Sequence, residues 1–122
     1  MILNHLNLAV PDVAQTRAFF ETYFGFTCAE VKGNDTLVIL IGKDGFILAL
    51  SNFSKDEIPE YPTDFHVGMV VDSPEEVMQT YQRMKDDGIV LGREPKRYGS
   101  RGTMSFYVNV PGNFLVEVLS LI

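Results

Sequence analysis

The chain is poor in cysteine, histidine, tryptophan and positive charge: its 122 residues include one Cys, no Trp, two His, and 10 Lys plus Arg against 16 Asp plus Glu. A lone Cys28 excludes an internal disulfide, and with no basic, apolar leader at the N-terminus it predicts a protein of the reducing cytoplasm. The net charge of −6 argues against a nucleic-acid partner, because neutralising phosphates needs a basic face that this balance does not supply. The longest aliphatic run, Leu37-Val38-Ile39-Leu40-Ile41, is far short of the roughly 20 residues that span a bilayer, so no membrane partner is expected. No long Pro/Gly/Ser tract or single-charge run is present either. At 46% hydrophobic and 21% charged residues, the whole chain is expected to fold as one domain around a shared core.

What is present is ordered as a duplication. His5-Leu6-Asn7-Leu8-Ala9-Val10 runs into Asp12-Val13-Ala14-Gln15, and His66-Val67-Gly68-Met69-Val70-Val71 runs into Ser73-Pro74-Glu75-Glu76. The period-2 alternation of residues 3 to 9, with Leu3, His5, Asn7 and Ala9 on one face, predicts a half-buried strand. Asp12 with Gln15 predicts a capped helix carrying Val13, Phe20 and Phe24 on one side and ending at Gly25. Strands are then expected at 26–31, 36–41 and 46–51, separated by Gly-, Asn- and Asp-bearing turns. Residues 52–64 hold Pro59, Pro62 and several acids without an apolar period, which predicts a linker between modules 1–51 and 65–122. The second module repeats the plan. A strand at 66–71 precedes a helix with Ser73 as N-cap, Pro74 at the first helical position, Glu76 closing the capping box, and Val77, Tyr81 and Met84 on one face, ending at Gly88. Three more strands are expected at 89–91, 103–109 and 114–121, with Pro111-Gly112-Asn113 as the last turn.

A histidine at the same point in each copy suggests a site shared between the copies, and Glu117 in the last strand is the natural third ligand. Leu115, Glu117 and Leu119 fall on one strand face, where an uncompensated carboxylate would cost several kcal/mol and a nearby cation would remove the penalty. The scarce positive charge is also clustered. Arg93, Lys96, Arg97 and Arg101 place four of the ten cations within nine residues, a segment suited to a small anionic ligand.

Two βαβββ halves, a histidine opening each, Phe19-Phe20-Glu21-Thr22-Tyr23-Phe24-Gly25-Phe26 after the first, and Ser105-Phe106-Tyr107-Val108-Asn109-Val110-Pro111-Gly112-Asn113-Phe114-Leu115-Val116-Glu117 resemble the vicinal-oxygen-chelate superfamily. That superfamily includes glyoxalase I, extradiol dioxygenases, fosfomycin-resistance enzymes and bleomycin-resistance binding proteins. The resemblance implies an α+β fold in which two βαβββ modules curl mixed sheets around a ligand cup, commonly completed across a homodimer. It implies a metal site at His5, His66 and Glu117, with the fourth family position falling near Ala49, whose side chain binds no metal. Two imidazoles and one carboxylate suit a divalent ion, Fe, Mn, Ni or Zn, with open positions for a substrate's adjacent oxygens.

The resemblance further implies a metal-dependent lyase, isomerase, dioxygenase or thiol transferase acting on a small oxygen-chelating molecule. Ala49 disfavours ordinary glyoxalase I chemistry, which uses a carboxylate from each half. Fosfomycin-resistance enzymes carry threonine where this chain has Asn7, and extradiol dioxygenases add histidines that this chain lacks. Substrate contacts are expected from Arg101, Tyr107 and Asn7, with Met69 and Met104 as further candidates for the cup lining; no residue is singled out as a catalytic acid or base. The alternative is a metal-free small-molecule or drug-binding protein of the bleomycin-resistance type.

Overall fold

The computed structural model describes residues 1–55, 57–98, 100 and 102–121. Its elements run β1 (His5–Ala9), α1 (Val13–Tyr23), β2 (Thr27–Lys32), β3 (Leu37–Ile41), β4 (Ile47–Ser51), then β5 (His66–Val71), α2 (Pro74–Asp86), β6 (Lys96–Tyr98), β7 (Thr103–Val110) and β8 (Phe114–Ser120). This is the α+β duplication of βαβββ modules expected from the sequence. Each module builds its own open four-stranded mixed sheet, in the order β1-β4-β3-β2 and β5-β8-β7-β6. Contacts divide the chain into two compact units, Met1–Tyr61 with Val110–Asn113, and Pro62–Asn109 with Phe114–Ile122. Among the described residues no helix is long and apolar enough to cross a membrane.

In the first unit β1 pairs parallel with β4, and β3 lies antiparallel to β4 and to β2. Leu8, Val38, Leu40, Leu48 and Leu50 are buried on the face that receives α1, while His5, Asn7 and Ala9 alternate onto the other. The helix starts where Asp12 accepts the Gln15 N–H at 2.9 Å. Phe20, 0% exposed, anchors it, and its ring meets those of Phe24 and Phe26 edge-on at 5.1 and 5.6 Å. Gly25 takes φ +72°, the left-handed turn that lets the chain double back into β2.

The second unit repeats this pairing. β5 runs parallel to β8, and β7 lies between β8 and the short edge strand β6. The Ser73 Oγ accepts the Glu76 N–H at 3.2 Å, whereas the Glu76 carboxylate reaches the N–H of Asp72 rather than of the cap itself. Val77, Tyr81 and Met84 are buried beneath α2 as the spacing predicts, with Tyr81 edge-on to Phe106 of β7 at 5.3 Å.

The expected strand at 89–91 is not formed; the edge strand is Lys96–Tyr98. Gly88 (φ +83°) turns the chain at the end of α2, and the Ile89 N–H bonds back to the Met84 carbonyl at 3.0 Å. That turn holds Ile89 against the helix end, Val90 is left 91% exposed, and the edge of β7 is paired instead by Lys96–Tyr98. An apolar tripeptide has strand propensity, but it becomes a strand only where a partner's hydrogen bonds are free.

Candidate metal and substrate site

In the second unit, register brings the site together. His66 stands opposite Leu115 and Gly68 opposite Glu117, on the sheet face turned away from α2. Gly68 contributes no side chain between them, and the His66 Nε2 lies 3.8 Å from a Glu117 carboxylate oxygen. The glutamate is not isolated among its flanking leucines: its side chain keeps 18% exposure and faces the imidazole.

The histidine is oriented from behind. Its Nδ1 is 2.9 Å from the Asp64 carbonyl, which can only accept, so in the neutral ring the proton sits on Nδ1. The Nε2 lone pair is thereby turned outward, toward Glu117. Two electron-rich atoms then face each other at 3.8 Å, beyond hydrogen-bonding distance, and a positive centre between them satisfies both. A backbone carbonyl fixing the distal nitrogen is the usual support of a metal-binding imidazole.

Tyr107 completes this face. Its ring meets His66 edge-on at 5.5 Å and 84°. Burial raises its phenol above the ordinary value, and the negative charge of Glu117 and a hydrogen bond to that carboxylate raise it further. The hydroxyl is therefore a proton-bearing donor at neutral pH. Tyr107 alternates with Ser105 and Asn109 on β7, and all three border a cavity of about 280 Å³ that is also lined by Leu115, Tyr98 and the 90–94 loop. Neither the loop nor the cavity follows from the sequence pattern, because both depend on residues 89–91 leaving the sheet.

In the first unit His5 occupies the place in β1 that His66 holds in β5, opposite Ile47 as His66 is opposite Leu115. Its Nδ1 is 2.7 Å from the Asn4 side-chain oxygen, which again leaves Nε2 outward. Asn7 stands opposite Ala49 as Gly68 stands opposite Glu117, so the sheet registers themselves match Ala49 to Glu117. Asn7 accepts a hydrogen bond from the Ser51 hydroxyl at 2.9 Å, which engages its carbonyl oxygen and leaves its NH2 group for other partners.

Of the other expected contacts, Arg101 lies outside the described residues. Met69 pairs with the buried Val118, and Met104 alternates with Tyr107 along β7. Both therefore point to the helix side of their sheet, a correction that follows from strand parity. Among the described residues no three His, Cys, Asp or Glu side chains gather into a group able to hold a metal.

The model of the Glyoxalase/Bleomycin resistance protein/Dioxygenase superfamily matches residues 2–118. A "possible glyoxalase" from Bacillus cereus is 39% identical, with 98% of each chain covered and a TM-score of 0.82. A lactoylglutathione lyase from Agrobacterium tumefaciens is 20% identical over 98% of this chain and 92% of its own, at a TM-score of 0.77. A glyoxalase/dioxygenase from Nostoc punctiforme, also 20% identical, covers 98% of this chain and 90% of its own, at 0.77. At 20% identity the likeness is one of fold. No curated protein sequence matches significantly.

Proposed function

This chain belongs to the Glyoxalase/Bleomycin resistance protein/Dioxygenase superfamily, and from that premise we propose a metal-dependent enzyme acting on a small oxygen-chelating molecule. His66 and Glu117 hold a divalent ion, Fe, Mn, Ni or Zn, together with His5. The observation that carries this reading is the outward Nε2 of a backbone-fixed His66 facing the Glu117 carboxylate at 3.8 Å. Such an ion, when bound, polarises the adjacent oxygens of a chelating substrate.

The remaining work belongs to this chain's own side chains. The Tyr107 hydroxyl, kept protonated by burial and by Glu117, carries a single proton and donates to a substrate oxygen on the same face by turning it away from the Glu117 carboxylate. The NH2 group of Asn7, two residues along β1 from His5, supplies a second donor while its oxygen accepts from Ser51. Because Ala49 occupies the register position of Glu117, the chain offers one carboxylate where glyoxalase I uses two. That favours a lyase, dioxygenase or transferase acting through an open coordination sphere over the isomerisation of glyoxalase I.

The third ligand is contributed by a second copy. We assign His5 of one subunit to the His66–Glu117 pair of the other in a C2 homodimer, the arrangement that the resemblance to the superfamily implies. Metal analysis of protein purified without an affinity tag, before and after reloading, tests the function. One ion per chain is expected, and His66→Ala or Glu117→Gln should weaken binding by more than about a hundredfold, since loss of even an outer-shell partner costs 10- to 100-fold. Wild-type protein that takes up no metal after reloading would leave a metal-free binding protein.

A further inference from the structure

The structure sorts three of the four clustered cations of residues 93–101 into different roles. Arg97 pairs in register with Met104, on the opposite side of β6 from Tyr98, and its guanidinium donates to the Gly102 carbonyl at 2.6 Å, closing its own hairpin. Lys96 stands opposite Ser105, on the Tyr107 side of the sheet, with its ammonium 5.4 Å from the Tyr98 ring centroid. Arg93 lines the 280 Å³ cavity and has no ion-pair partner among the described residues. Arg101 lies outside the described residues.

The cavity is continuous with the metal-facing side of the sheet through Tyr107, which borders it and touches His66. From Ser105 to Asn109 it follows about 13 Å of β7, at the 3.3 Å rise of a strand. A substrate chelated near His66 and Glu117 and passing Tyr107 would therefore place its far end beside Arg93. The wall there is mixed, with Val90 and Tyr98 for apolar contact and Glu94 as the single acid. The lining carries one cation, Arg93, and one acid, Glu94, so removing one or the other should move the cavity's preference for an anion in opposite directions.

We propose that this cavity is a subsite for a carboxylate carried by the substrate at the end remote from its chelating oxygens, recognised by Arg93. A planar guanidinium with no ion-pair partner among the described residues is suited to bidentate pairing with a carboxylate. As a substrate subsite it rests on the metal-enzyme reading of the same sheet face. As an anion site it is testable alone.

The test is an NMR titration of the full-length, metal-free, ¹⁵N-labelled protein with phenylacetate and with its uncharged analogue phenylacetamide. Phenylacetate should shift the amides of residues 90–98 and 105–109. Its affinity should fall about tenfold in Arg93→Met, the loss of one charge-assisted pair, and similarly on replacing it by phenylacetamide. Glu94→Gln should tighten phenylacetate binding. Equal affinity for the two probes, unchanged affinity in Arg93→Met, weaker binding in Glu94→Gln, or no binding at tens of millimolar would each overturn the proposal. Because the titration uses metal-free protein, a wild type that takes up no metal removes the enzyme reading while leaving the anion site standing. Lost anion preference does the reverse.

Discussion

Glu117 sits between Leu115 and Leu119 on its strand face, yet it is not left unpaired: the Tyr107 hydroxyl interacts with its carboxylate, and the His66 Nε2 faces it at 3.8 Å. The Tyr107 phenol and the Tyr61 phenol are both raised above the ordinary tyrosine value of 10.0, each by burial first. Tyr61 also donates to the Ala9 carbonyl at 2.7 Å, tying the segment after β4 to β1. Because these folded values lie above the unfolded one, the stability they contribute is fully present below about pH 10 and is lost as pH rises through the folded values. Absorbance titration at 295 nm should therefore show tyrosine ionisation above pH 10 that diminishes in Tyr61→Phe and in Tyr107→Phe, and urea midpoints should fall over the same range. Phe20→Ala should cost about 3–5 kcal/mol in urea unfolding, because a fully buried ring contacting two others leaves a cavity that the strands cannot close.

At the level of elements, helix termini follow local chemistry and can be tested locally. Ser73→Ala removes the acceptor of the Glu76 N–H and should cost about 1 kcal/mol. Gly88 is at φ +83°, and a methyl group added to its Cα would meet nothing within 4 Å, so Gly88→Ala tests backbone strain without a packing clash. A loss of about 1–2 kcal/mol is expected, with Gly88→Asn milder because Asn tolerates the left-handed region. Both helices and their caps were legible because caps and apolar spacing are local signals. The edge strand was not, since 89–91 and 96–98 compete for one partner, and the turn at Gly88 together with the reach of the following loop decides which one pairs. The same decision creates the cavity beside Tyr107, so the misplaced strand and the unforeseen cavity have a single cause.

For the whole molecule, the decisive experiment is subunit mixing. If His5 of one copy completes the His66–Glu117 pair of another, His5→Ala and His66→Ala chains unfolded together and refolded should regain about a quarter of wild-type metal capacity. Half the dimers are then mixed, and each has one intact site. Recovery of none would place all three ligands within one chain or none in a common site. The sequence alone determined the duplication, the strand and helix periods, both helix caps, and the lack of a carboxylate at Ala49, because each is written in local spacing or in residue identity. It also marked His66 and Glu117 as partners, although 51 positions separate them in the numbering. What only the tertiary structure decided was their meeting: the parallel register of β5 with β8 sets Gly68 opposite Glu117 and turns His66 Nε2 toward its carboxylate. It likewise turned Met69 and Met104 to the helix side and left Arg93, of the clustered cations, lining a cavity. Register and loop path are set by long-range pairing, in which the chemistry of any one residue is outweighed by the hydrogen bonds and apolar contacts of a whole strand.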